Sequence, residues 1–63
     1  MKLSNREITI IELISKGDSY KEIAQKLLIS PRTVQTHIER VKIKLGAKNK
    51  TNAVVIYLQQ ASA

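Results

Sequence analysis

Residues 19–46 read SYKEIAQKLLISPRTVQTHIERVKIKLG, and the signals in that stretch decide the fold. Ser19-Tyr20-Lys21-Glu22 is a capping box: the serine hydroxyl accepts from the backbone N–H three residues on, and the glutamate there reaches back to the cap. It opens a helix over about 20–28 with Ile23, Ala24 and Leu27 inward. Ser30 caps the next helix and Pro31 takes its first position, where a missing N–H costs nothing. Only Ile29 and Ser30 separate the two helices, and so short a turn forces them to cross steeply, the geometry of a helix-turn-helix. The helix that begins at Pro31 runs to about Leu45 and stops at Gly46. Val34, Ile38, Val41 and Leu45, at i, i+4, i+7 and i+11, give it a core stripe.

Outward from that pair the signals repeat. Upstream, Ser4-Asn5-Arg6-Glu7 is a second capping box, and Leu3 and Ile8 have the spacing of a hydrophobic staple. Ile8, Ile11 and Ile14, widened by Ile10 and Leu13, predict a helix over about 5–16, closed by Gly17 in the left-handed conformation. Downstream, Asn49 can cap a helix of about 50–60 with Ala53, Val54 and Tyr57 on its inner side. Nothing reads as a strand, repeat or linker. The fold class is all-α: one domain over 1–63, a four-helix bundle containing the helix-turn-helix.

Sixty-three residues bury only about 60% of their unfolded surface, which leaves a small core and little room for a walled catalytic cleft. There is no cysteine, so no disulfide, thiolate metal site or thiol nucleophile is available. A single histidine, His37, cannot supply a usual zinc set, and no cofactor or metal is expected. His37 without a partner triad is a candidate for phosphate contact or packing rather than catalysis, and Ser4, Ser19 and Ser30 are caps rather than nucleophiles. An enzyme is not expected. The longest apolar run, Val54 to Leu58, is too short to span a membrane, and the first residues lack the apolar stretch of a signal peptide. The expectation is a cytoplasmic protein.

A net charge of +6 asks for an anionic partner, and its distribution sharpens the request. Residues 32–50 carry Arg32, Arg40, Lys42, Lys44, Lys48 and Lys50 against Glu39 alone, a net +5, whereas residues 1–31 carry a net +1. With residues spaced 100° apart around the third helix, Arg32, Thr36, Glu39 and Ile43 lie opposite the core. Gln35 and Lys42 flank that face on one side, and Thr33, His37, Arg40 and Lys44 on the other. Hydrogen-bonding side chains in the centre with cations at the edges suit a helix in the DNA major groove, whose floor carries base edges and whose walls carry phosphates. Arg32, Gln35, Thr36 and Glu39 are the candidate base contacts. Glu39 can accept from cytosine N4, or it can pair with Arg32 or Lys42 on the helix surface.

These residues together resemble the LuxR/FixJ/NarL-type DNA-binding domain of bacterial transcription regulators. The resemblance is carried by Leu3-Ser4, Arg6-Glu7, Leu13-Ile14 and Gly17, by Lys21-Glu22-Ile23-Ala24, Leu27 and Ile29-Ser30, and by Thr33-Val34, Thr36-His37, Lys44-Leu45-Gly46-Ala47 and Ala53-Val54. It covers about residues 3–58 and implies four helices, with the second and third as the helix-turn-helix. It also implies double-stranded DNA as partner and dimeric binding to inverted repeats through the fourth helix. Members often carry a receiver or ligand-binding domain ahead of such an output domain. The positions matching Gln35, Thr36 and Glu39 approach bases, and those matching Lys21, Thr33 and Lys44 commonly touch phosphate. With His37, Arg40, Lys42, Lys48 and Lys50 these make up the candidate phosphate contacts. Arg40 stands where the family often has asparagine, and Ile43 where it often has a charged residue.

On the fourth helix Val55, Leu58 and Gln59 face away from the core and form the candidate dimer seam, small enough to be weak without DNA. Tyr20 is a candidate either for phosphate contact or for a plain surface position. Two rival readings remain. A sigma-factor region-4-like domain, which also fits Ser19 to Ala24, would bind promoter DNA within RNA polymerase and needs no self-association helix. A basic protein-interaction module would use the same cations on an acidic protein. Thr36-His37 and the tail from Lys44 to Val54 favour the LuxR-type reading, with RNA polymerase as a further candidate partner.

Overall fold

The computed structural model describes residues 2–61, and each helix begins where a side chain can satisfy the free N–H groups of its first turn. The helices are α1 (Asn5–Ser15), α2 (Tyr20–Leu27), α3 (Pro31–Leu45) and α4 (Lys50–Ala61), with no strand among the described residues. Both capping boxes close. Ser4 Oγ accepts from Glu7 N–H at 3.2 Å while Glu7 Oε1 accepts from Ser4 N–H at 2.8 Å. Ser19 and Glu22 repeat the exchange at 3.1 and 2.8 Å. Ser30 Oγ accepts from Thr33 N–H at 3.1 Å, and Asn49 Oδ1 accepts from Asn52 N–H at 2.8 Å. The four starts expected from sequence are the four starts found.

The ends tell more. After α1, Gly17 N–H donates to Ile14 O and Asp18 N–H to Leu13 O. After α3, Gly46 and Ala47 N–H donate to Ile43 O and Lys42 O. Both patterns need a left-handed residue, which Gly17 and Gly46 supply at φ 102° and 66°. The same closure follows α2, where Ile29 N–H donates to Ala24 O, but there the left-handed residue is Leu28 at φ 59°. Leu28 therefore lies outside the helix that periodicity extended to 28, just as Lys16 lies outside α1. A leucine in this conformation costs about 1–2 kcal/mol, and Leu28, 91% exposed, recovers little of it by burial. Leu28→Gly is expected to raise stability by about 0.5–1 kcal/mol, part of the relief being offset by the greater freedom of glycine in the unfolded chain. Urea unfolding measures it, and a loss of stability would contradict the strained-turn reading.

α3 packs against all three other helices. The fully buried core is Ile10 and Ile11 of α1, Ile23 of α2, Val34, Ile38 and Val41 of α3, and Ala53 of α4, with Ala24 almost fully buried beside them. Leu27, Leu45, Val54 and Tyr57 pack on its margin. The α1 face is rotated from its expected centre: Ile8 is only half-buried, and Glu7, Ile10 and Ile11 point inward. Glu7 turns in because its carboxylate has partners there. Besides Ser4 N–H, Glu7 Oε1 accepts from Lys44 Nζ at 2.7 Å, tying the first turn of α1 to the last turn of α3. A buried carboxylate is tolerable when paired and hydrogen-bonded, and this one is both. Tyr57 adds a second tie, its hydroxyl donating to Glu12 Oε2 at 2.9 Å. The core thus holds α3 by one stripe and leaves its opposite face outward.

Candidate nucleic-acid interface

That outward face begins at the helix-turn-helix corner. Arg32, Gln35, Thr36 and Glu39, the four side chains expected at base edges, line one shallow concavity on α3. All four are exposed. Their chemistry differs along the helix: a guanidinium fork near the N-terminus, an amide, a hydroxyl, then a carboxylate. Thr36 Oγ1 donates to Arg32 O at 3.1 Å, so its methyl group and lone pairs remain for the outside. Glu39 accepts from Lys42 Nζ at 3.1 Å, which is one of the two surface pairings considered for it. The pair is exposed enough to be worth only a few tenths of a kcal/mol, so it orients the carboxylate without locking it.

The candidate phosphate contacts fall into distinct situations. Arg40, Lys21 and Lys48 are exposed. Thr33 is exposed at the first turn of α3, its hydroxyl 2.9 Å from the capping Ser30 Oγ. His37 is half-buried, with Nδ1 buried and lacking a hydrogen-bond partner, so it packs without a hydrogen bond at that atom. Lys50, at the start of α4, holds its ammonium 5.0 Å from the centroid of the Tyr20 ring at the start of α2. This is a cation–π contact. It brings a cation of α4 to the N-terminal end of α2. Burial and the nearby Glu39 charge push the Tyr20 hydroxyl above the ordinary phenol range, so it is a neutral donor at physiological pH. Neither the Tyr20–Lys50 contact nor the Glu7–Lys44 pair carries a sequence signal, because each joins residues about 30 or more positions apart.

Lys44 differs from the rest because its ammonium is already engaged by a buried carboxylate. Its Nζ hydrogen bond, followed by that of Ser4 N–H, holds the Glu7 carboxyl below the usual carboxylate range although burial pulls the other way. On α4, Val55 and Leu58 are 45% and 48% exposed, and Gln59 is exposed beside them. No helix among the described residues is long and apolar enough to cross a membrane.

Residues 1–57 match the family model described as bacterial regulatory proteins, luxR family. The chain is 45% identical over 58 residues to the oxygen regulatory protein NreC of Staphylococcus aureus strain JH9, and equally to those of strains JH1 and Mu3. The aligned stretch is 92% of this chain and 27% of each relative, so the chain spans about a quarter of the length of the curated relatives it matches.

Proposed function

Because the chain belongs to the luxR family of bacterial regulatory proteins, and is therefore a helix-turn-helix DNA-binding domain rather than an enzyme, we propose that α3 enters the major groove and reads sequence with its outward face. The observation that carries this is the concavity lined by Arg32, Gln35, Thr36 and Glu39, set directly opposite the core stripe and flanked by cations. Chemistry assigns partners. Arg32 suits guanine O6 and N7, Gln35 suits adenine N6 and N7, Glu39 accepts from cytosine N4, and Thr36 offers a lone pair and a methyl group. Lys21, Thr33, Arg40, Lys42, Lys48 and Lys50 take phosphates on either wall. His37 does so through Nε2. Lys44 offers phosphate only the donors that Glu7 leaves over.

Lys42 is the cleaner test of the wall contacts, since Glu39 holds it only at the surface. Each phosphate contacted steepens the fall of log K with log salt by about 0.9. Lys42→Ala is expected to weaken binding to all duplexes alike and to lower that slope by about one. An unchanged slope would remove Lys42 from the interface. No duplex affinity for the unmodified chain at low salt would remove the groove reading altogether and favour an acidic protein partner.

Two copies on an inverted repeat complete the proposal, with Val55, Leu58 and Gln59 of α4 as the seam. The exposed Val55 and Leu58 support it. So small a patch is expected to pair weakly in solution and more firmly on adjacent half-sites. Sedimentation of the chain with a palindromic duplex is expected to give two copies per duplex. One copy per duplex would instead make the chain a monomeric binder and remove the α4 seam.

A further inference from the structure

Ile43 is 73% exposed, and it continues the line of Arg32, Thr36 and Glu39 along the outward side of α3. A branched aliphatic side chain left in water on a polar helix face gains nothing for the fold. Long flanking cations often shield such a residue by laying their methylene stems across it. Here Ile43 stays largely uncovered, and its two sequence neighbours send their ammonium groups elsewhere, Lys42 Nζ to Glu39 at 3.1 Å and Lys44 Nζ to Glu7 at 2.7 Å. The result is an apolar knob at the end of a hydrogen-bonding face, about 6 Å beyond Glu39 along the helix axis.

Resting on the major-groove reading of α3, we propose that Ile43 is a further specificity residue, packing against the C5-methyl group of a thymine in the DNA major groove. Among groove-floor groups only that methyl rewards burial of an alkyl side chain. The other base-edge groups there are hydrogen-bond donors and acceptors, which isoleucine cannot satisfy and would only desolvate. Position along the helix makes the knob continuous with the base-reading concavity, while its chemistry sets it apart from the four polar readers.

The test uses a duplex recovered by this chain from a random-sequence pool, remade with deoxyuridine in place of each thymine in turn. Uracil removes the methyl and leaves every hydrogen-bonding group in place. At one thymine the unmodified chain is expected to lose about fourfold in affinity, the worth of one buried methyl. Ile43→Ala is expected to bind the thymine duplex more weakly by a similar factor and to be indifferent to uracil at that same position, with an unchanged thermal midpoint. A preferred site without thymine, no uracil-sensitive position, or losses that simply multiply would each overturn the assignment of Ile43. Multiplying losses, or a loss from Ile43→Ala that uracil never modulates, would instead place the side chain against deoxyribose. If the pool yields no preferred duplex, the major-groove reading of α3 fails first; if it yields one without the coupling, only the role of Ile43 fails.

Discussion

Glu7→Ala is expected to cost about 3 kcal/mol of folding stability, a large part of the roughly 3–9 kcal/mol available to a chain of this size. The substitution removes two things at once. Ser4 N–H loses its acceptor, which is the reciprocal half of the α1 capping box, and the Lys44 ammonium is left half-buried without its carboxylate. A lost cap is worth about 1 kcal/mol, and an abandoned, partly buried charge most of the rest. The thermal midpoint should fall by roughly 12–24 °C. The same pair sets an acid limit. The Glu7 carboxyl titrates lower in the folded protein than its unfolded value of about 4.3, so the ionised form contributes fully above that value. Its contribution is lost as pH falls from about 4 through the folded value. Glu7→Gln, which keeps an acceptor for Ser4 N–H, is expected to flatten this part of the acid profile. A Glu7→Ala protein within about 0.5 kcal/mol of the original in urea unfolding would show that the α1–α3 tie does not hold α3 in place.

Gln35→Ala is expected to cost about 1–3 kcal/mol on the preferred duplex, roughly 5- to 150-fold, and little on random DNA. Gln35 is exposed on the α3 concavity proposed to read bases and contributes nothing to the core, so its loss should leave the thermal midpoint unchanged. Its amide is suited to adenine, and the preference should relax at one position of the site while the rest is retained. Binding measured on both duplexes at one salt concentration separates the readings. Equal loss on the two would make Gln35 a backbone contact and leave Arg32, Thr36 and Glu39 to carry the specificity.

The fold was legible in the sequence because its signals are local. Ser4 with Glu7, Ser19 with Glu22, Ser30 with Pro31, and Gly17 and Gly46 each act within a few residues of the helix end they define, so spacing alone places them. The outward face of α3 was legible for a related reason: Val34, Ile38 and Val41 form one clean stripe, and whatever opposes it must face solvent. The α1 face was harder. Apolar residues at 8, 10, 11, 13 and 14 leave the direction of burial open, and the choice is made by a glutamate that reads as a cap and turns out also to hold Lys44. Leu28 was misplaced into α2 because left-handed residues are identified by glycine, and the turn there uses leucine. The Lys50–Tyr20 contact and the Glu7–Lys44 pair join distant segments, and only packing brings them together.

The face proposed to read DNA can be located directly. In a titration of the isotopically labelled chain with its preferred duplex, followed by amide chemical shifts, the largest changes are expected along α3 from Arg32 to Ile43. Smaller ones are expected at Lys21, Lys48 and Lys50, with the core-facing amides of α1 little moved. Changes centred on α1 or α4, with the outward face of α3 unperturbed, would contradict the assignment of α3 as the helix in the groove.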